Sequence, residues 1–226
     1  RGALTTRKQV AWADPISLPE VKAIGKALGC TVNDVLLASI AGAFGTYLRH
    51  ERAAVDDVAI RALVPVNLRL PSDPIALGNH FGLVFVELPL GERNPVARVL
   101  ALHRYMDGLK QSAQPLAAYW LLSALGSLPA VIEEQAVDVL TSKATLVISN
   151  VPGPEVPLYL CGARIDRQFF WVPQAGSIGI GVSILTYDGR VHFGLIADRQ
   201  LIADPNAVAR TFGREFEQLL LCTVMA

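Results

Sequence analysis

Apolar residues recur along the chain with two periods, and the period separates helices from strands. A spacing near 3.6 residues predicts helices over 17–28, 31–50, 95–111, 116–125, 130–140 and 206–221. Short apolar runs rich in β-branched residues predict strands over 9–12, 58–70, 81–89, 145–148, 178–187 and 191–196. Helices and strands therefore mix along the whole chain, which is typical of a mixed β-sheet flanked by helices in one α/β domain over residues 1–226.

Capping and turn residues fix several of these boundaries. Ser17 with Glu20 three residues later, and Thr31 with Asp34, have the spacing of capping boxes. Asp188-Gly189 between two apolar runs predicts a two-residue β-hairpin turn.

A polar pair follows the most apolar of the predicted strands, 145–148. Ser149 and Asn150 come directly after it, and Pro152-Gly153-Pro154 then stops the strand ladder. A buried strand that presents polar groups at its end is a common way to build a site in α/β proteins. The alternative is a plain turn in which Ser149 and Asn150 bond local backbone groups.

Composition excludes some classes of function. The chain is 52% hydrophobic and 18% charged, and its 20 basic residues balance 20 acidic ones, so no charge pattern for nucleic acid is present. The longest apolar run, Val35 to Leu48, is shorter than a membrane span needs, and the polar stretch Arg1 to Gln9 does not resemble a signal peptide. High apolarity with low charge predicts a face that packs against a partner.

The cysteines and histidines show no metal or nucleophile pattern. Cys30, Cys161 and Cys222 are odd in number and widely spaced in apolar sequence, which predicts reduced core thiols in the cytoplasm. The spacing of the four histidines suits no zinc site, and none is near a serine or cysteine in a catalytic pattern.

An ordered set of motifs resembles the C-terminal half of bacterial wax ester synthase/diacylglycerol acyltransferases. The motifs are Thr31-Val-Asn-Asp-Val-Leu-Leu-Ala38, Val64-Pro-Val-Asn-Leu-Arg69, Gly78-Asn79, Ser149-Asn-Val-Pro-Gly-Pro154, Leu158-Tyr-Leu-Cys-Gly162 and Gly194-Leu-Ile-Ala-Asp198. The resemblance implies one lobe of a chloramphenicol-acetyltransferase-like, two-lobe fold, with a tunnel between the lobes. It also implies an N-terminal lobe that carries the catalytic motif His-His-x-x-x-Asp-Gly. Acyl-CoA would be a substrate and not a cofactor, and the acceptor would be a long-chain alcohol or diacylglycerol.

The resemblance also suggests site residues in this chain. Ser149 and Asn150 are the candidates for contact with the reaction centre, where a hydroxyl could donate to an oxyanion. Asn33 and Asp34 would order groups at the tunnel, although a capping role alone accounts for Asp34. Arg69 would anchor the two lobes, meet a CoA phosphate or form a surface ion pair. Gly153 would shape a turn at the tunnel. Any membrane or lipid-droplet contact of this cytoplasmic lobe would be peripheral.

The segment His103-Arg-Tyr-Met-Asp-Gly108 matches the second half of the catalytic motif. The preceding residue is Leu102 instead of histidine, and the segment lies within a helical apolar period, which predicts a helix-surface histidine. Two alternatives to a C-terminal lobe that depends on a catalytic N-terminal lobe stay open. One is a non-catalytic lobe that binds lipid or protein, and the other is a self-contained enzyme that uses His103.

Overall fold

The computed structural model describes residues 4–5, 7–55, 60–69, 80–112, 117–120 and 130–225. Its strands are β1 (Lys8–Trp12), β2 (Ile16–Ser17), β3 (Ile60–Asn67), β4 (Phe81–Leu88), β5 (Leu146–Pro152), β6 (Tyr159–Leu160), β7 (Ala163–Arg164), β8 (Ile180–Tyr187) and β9 (Arg190–Asp198). Its helices are α1 (Leu18–Leu28), α2 (Val32–His50), α3 (Pro95–Gln111), α4 (Ala130–Thr141) and α5 (Pro205–Val224). Of the predicted helix 116–125, only residues 117–120 are described, and they are helical. The motif Gly78-Asn79 lies outside the described residues.

The predicted caps determine where α1 and α2 begin. The Ser17 hydroxyl accepts the backbone N–H of Glu20 at 3.4 Å, and α1 ends at Gly29, whose φ of 66° is left-handed. At α2, the Thr31 hydroxyl accepts the Asp34 N–H at 3.2 Å and the Asp34 carboxylate accepts the Thr31 N–H at 2.9 Å. This reciprocal pair confirms the capping box predicted for α2.

The sheet is mixed, as predicted. Among the described strands the order is β1–β9–β8–β5–β3–β4. In addition, β2 pairs with the first residues of β9. β5 runs parallel to both of its neighbours, β3 and β8, whereas the other pairs in this sheet are antiparallel. The β8–β9 hairpin turns at Asp188 and Gly189, which both have positive φ, so the predicted turn is confirmed.

The predicted end of the strand 145–148 is wrong. β5 continues to Pro152, and Ser149 and Asn150 pair in register with Ser183 and Ile184 of β8. A proline removes only its own N–H from a ladder, so the strand ends at Pro152 and not four residues earlier. The polar pair therefore lies inside the strand.

The two faces of the sheet pack against different partners. Ile148 of β5 belongs to the main core, which lies between the sheet and helices α1, α2, α3 and α5. Val147 packs in a smaller cluster on the opposite face with Val172 and Ile178. Because side chains alternate along a strand, Asn150 lies on the helical side and Ser149 on the opposite side.

The expectation that all three cysteines are core thiols is wrong for two of them. Cys161 lies in the exposed β6–β7 turn with a φ of 51°, and Cys222 lies on the exposed side of α5. Only Cys30 is half-buried. The apolar sequence around Cys161 is itself exposed, since Val156, Tyr159 and Leu160 are each more than 60% accessible. Such an apolar segment is the kind of surface that a partner covers.

A buried ion pair joins three of the helices. Arg98 of α3 pairs with Glu215 of α5, and its Nε donates to the Ala38 carbonyl of α2 at 2.8 Å. A Cβ at Gly42 of α2 would overlap both charged side chains, so the glycine makes room for the pair.

We expect Glu215→Gln to lower the free energy of unfolding by about 3–5 kcal/mol, because it leaves the Arg98 charge buried without its counter-charge. Denaturant unfolding of the chain measures this. The matched control is Glu87→Gln, which breaks the Arg61–Glu87 pair, whose side chains are 54% and 43% exposed. The control should cost less than about 1 kcal/mol. Equal losses for the two variants would contradict a stabilising role for the buried pair.

Candidate functional site: an apolar cavity with an amide pair

The site begins where β3 and β5 separate. In the described residues the two strands pair only at Ala62–Leu146 and Leu63–Val147, although each continues against its other neighbour. Pro65, which has no N–H to donate, lies just beyond the last pair. Parallel strands that diverge at their carboxyl ends leave a crevice, and such crevices are where α/β proteins commonly bind ligands.

A cavity of about 490 Å³ occupies this region. Residues 64–68 line one wall, Met106 and Leu109 of α3 line another, and the lining is mainly apolar. Its volume lies within the range of about 300–1,000 Å³ found for small-molecule sites.

Two amide side chains meet at the cavity wall. The Asn150 Nδ2 of β5 donates to the Asn33 Oδ1 of α2 at 3.4 Å. Both residues line the cavity and are half-buried. This contact uses one amide N–H, so the other amide N–H groups of the two side chains could donate to a ligand carbonyl or hydroxyl. The sequence predicted both residues as site residues but gave no sign that they touch.

Asp34 follows Asn33 in the first turn of α2 and makes two polar contacts with one oxygen. Its Oδ2 accepts the Thr31 N–H and also lies 2.8 Å from the Nδ1 of His103 on α3. The side chain of His103 is only 25% exposed, and its Nε2 lies 3.2 Å from the Asp107 carboxylate. His103 is half-buried, so the predicted helix-surface position is correct only in part: α3 packs against α2 with His103 facing the beginning of α2. The capping role predicted for Asp34 is confirmed.

Cys30 completes this polar cluster. The thiol lies at the junction of α1 and α2 and donates to the Leu28 carbonyl at 3.3 Å. Burial raises the pKa of the Cys30 thiol, and the carboxylates of Asp34 and Asp107 raise it further. Sequence spacing could not reveal this cluster, because His103 is 69 residues from Asp34.

The other predicted site residues lie apart from the described lining of the cavity, which includes Asn33 and Asn150. Ser149 lies on the opposite sheet face, where no described residue bonds its hydroxyl. The backbone N–H of Arg69, just beyond β3, donates to Asn67 Oδ1 at 3.0 Å. Gly153 donates its N–H to the Thr186 carbonyl at 2.9 Å, and a Cβ at this position would overlap that oxygen. Gly153 therefore shapes the chain where it leaves β5.

Solved structures with the same architecture define the class of this fold. A wax ester synthase/diacylglycerol acyltransferase from Marinobacter aquaeolei VT8 is similar over 98% of this chain and 50% of its own, with a TM-score of 0.74 and 24% identity. The epimerization domain of tyrocidine synthetase B is similar over 99% of this chain and 51% of its own, with a TM-score of 0.61 and 12% identity. The chain thus has the chloramphenicol-acetyltransferase-like α/β fold that the family resemblance implied.

The sequence then identifies the family. The chain belongs to the wax ester synthase/diacylglycerol acyltransferase (WS/DGAT) C-terminal domain family, whose model matches residues 77–220. Two similar proteins of Mycobacterium tuberculosis H37Rv are the probable diacylglycerol O-acyltransferases tgs2, at 34% identity over 82% of this chain, and tgs1, at 30% over 88%. The chain spans 42% and 44% of their lengths, so it corresponds to less than half of each relative. A C-terminal domain of this fold implies an N-terminal lobe.

No single helix in the described ranges is long and apolar enough to span a membrane. Only α1 and α2 taken together reach the required length and apolarity, and they are bent by 101° at their junction.

We expect Cys30 to react with iodoacetamide more slowly than Cys161 and Cys222 in metal-free buffer near pH 8. Burial shields the Cys30 thiol, and its raised pKa keeps the reactive thiolate scarce until the pH is above the ordinary range for cysteine. Peptide mass spectrometry measures all three rates in one sample. Asp34→Asn removes one cause of the raised pKa and should speed alkylation of Cys30 relative to Cys222. Equal rates at the three thiols would contradict this expectation.

Proposed function

We propose that residues 1–226 form the C-terminal lobe of an acyl-CoA-dependent O-acyltransferase that transfers a fatty acyl group to diacylglycerol or a long-chain alcohol. The observation that carries this proposal is the apolar cavity with the Asn33–Asn150 amide pair in its wall. The non-catalytic alternative is disfavoured because the similar mycobacterial proteins are named as acyltransferases.

The proposed reaction needs a base that lies on the other lobe. A histidine of His-His-x-x-x-Asp-Gly in the N-terminal lobe would take the proton from the acceptor hydroxyl as its oxygen attacks the thioester carbonyl. The tetrahedral intermediate then collapses, the carbon–sulfur bond breaks and the CoA thiolate takes up that proton. The products are an ester and free CoA. The second alternative, in which His103 is the base, is disfavoured because His103 contacts Asp34 and Asp107 and is not part of the described cavity lining.

In this proposal the described lobe contributes binding and polar contacts. The cavity side chains would hold an apolar chain, and burial of each methylene would contribute about 0.8 kcal/mol. An amide N–H of Asn33 or Asn150 would bond the carbonyl end of that chain. Ser149 is the second candidate donor to the oxyanion, from the other face of the same strand. Arg69 would bind a CoA phosphate or the N-terminal lobe, and contact with a membrane or lipid droplet would be peripheral.

The two candidate donors can be separated by comparing Asn150→Ala with Ser149→Ala in the complete two-lobe enzyme. Loss of a donor to the developing oxyanion should lower turnover about 10²-fold and leave acyl-CoA binding little changed. We expect this for Asn150→Ala, because that amide lines the cavity. Steady-state kinetics and thermal unfolding are measured on the same preparations.

Two other results for this pair of variants would contradict the expectation. If Ser149→Ala loses turnover and Asn150→Ala does not, the oxyanion lies on the opposite sheet face and the role of the amide pair is wrong. If both variants lose only stability, about 1 kcal/mol each, neither residue takes part in the chemistry.

Cavity filling provides a second test. Leu109→Trp places a bulky ring in the cavity, so we expect the rate with long acyl-CoA substrates to fall at least several-fold more than the rate with short ones. Leu100→Trp is the matched control, because Leu100 is on the same helix but 39% exposed and outside the described cavity lining. An equal fall for all chain lengths in Leu109→Trp would contradict binding of the acyl chain in this cavity.

A further inference from the structure

Three potential metal ligands converge behind the amide pair. Cys30 comes from the α1–α2 junction, Asp34 from the first turn of α2, and His103 from α3. Their donor atoms all lie within 4.8 Å of one another. Zinc bonds of about 2.0–2.3 Å place tetrahedral ligand atoms roughly 3–4 Å apart, so side-chain shifts of about 1 Å would close a site around an ion. We propose that Cys30, Asp34 and His103 form a zinc-binding site that clamps the α1–α2 junction to α3.

The Asp34 carboxylate provides an independent observation. Its Oδ2 accepts the Thr31 N–H and lies 2.8 Å from His103 Nδ1. Its Oδ1 has no hydrogen-bond partner among the described residues, and Asp34 is 0% exposed. A buried acceptor without a partner is costly. The capping box and the His103 contact account for Oδ2 alone, and a bound cation would satisfy the remaining charge of the carboxylate.

The position of the His103 ring suits zinc. Its Nδ1 faces Asp34 and the thiol, and its Nε2 lies 3.2 Å from Asp107 Oδ2. An ion bound at Nδ1 requires the ring proton on Nε2, where the Asp107 carboxylate can accept it, and the ion would then replace the direct contact between Nδ1 and Asp34 Oδ2. This carboxylate–histidine arrangement is the usual support of a histidine that binds zinc. Asp107 is therefore the expected supporting residue and not a ligand.

The ligand types determine the metal. A thiolate and an imidazole are poor ligands for Mg²⁺ or Ca²⁺, which prefer oxygen, whereas cysteine, histidine and aspartate are all zinc ligands. Three protein ligands leave a fourth position for water. On binding, the Cys30 S–H bond breaks, the proton goes to solvent and the sulfur electron pair is donated to the ion, so no redox step is needed.

The direct test is to titrate the metal-free chain with Co²⁺ as a spectroscopic probe for zinc. We expect one ion per chain, with tetrahedral d–d bands and a thiolate-to-cobalt charge-transfer band. Cys30→Ser should abolish the charge-transfer band and weaken binding by at least about 100-fold, since loss of a supporting residue alone costs 10–100-fold. Cys222→Ser is the matched control and should leave the spectrum unchanged. A band that survives Cys30→Ser, or binding with no charge-transfer band, would overturn the site.

Zinc itself supplies a second measurement, which does not depend on acyl transfer. Zn²⁺ should slow alkylation of Cys30 but not of Cys222, and it should raise the melting temperature of the wild-type chain. His103→Gln should remove both effects, whereas His50→Gln, which changes an exposed histidine at the end of α2, should retain them. If Zn²⁺ neither protects Cys30 nor raises the melting temperature of the wild type, the proposal is wrong. Circular dichroism checks that each variant is folded.

Discussion

The buried carboxylate of Asp34 is the constraint on which the functional end of this lobe depends. One of its oxygens both caps α2 and contacts His103, so the beginning of α2 is fixed to α3. Asn33 precedes Asp34 in the same helical turn, and its position against Asn150 is fixed with it. The two polar contacts of Asp34 offset part of the free-energy cost of removing its carboxylate from water. A local capping interaction therefore also determines the position of an amide on the cavity wall.

The cavity itself results from a different constraint, the divergence of β3 from β5. β5 follows β8 to Pro152, and β3 follows β4 to Asn67, so the two strands cannot remain paired beyond Leu63 and Val147. Pro65 lowers the free-energy cost of this separation, because it has no backbone N–H that could have donated a hydrogen bond to β5. Apolar side chains of α3 then line the opening, while the buried Arg98–Glu215 pair holds α3 against α5.

Features set by neighbouring residues could be predicted from the sequence, and features set by distant ones could not. The caps at Ser17 and Thr31 and the Asp188-Gly189 turn depend on a few adjacent residues, and the structure confirms them. The continuation of β5 to Pro152 depends on its pairing with β8, and the residues near β5 in the sequence do not indicate that pairing. For the same reason the contact of His103 with α2 could not be predicted, because it depends on an aspartate 69 residues away. The exposure of Cys161 and Cys222 likewise depends on which face the rest of the chain covers.

Asn33 and Asp34 show how successive residues can serve separate purposes. Side chains one residue apart on an α-helix point about 100° apart, so one turn of α2 presents an amide to the cavity and a carboxylate to α3. The amide borders an apolar space suited to a lipid chain, whereas the carboxylate lies among a thiol and an imidazole that suit a metal ion. The cavity wall and the cluster of Cys30, Asp34 and His103 both depend on the first turn of α2, but they use different side chains. Movement of the α2 terminus would therefore disturb both, whereas loss of the Cys30 sulfur would leave the amide pair in place.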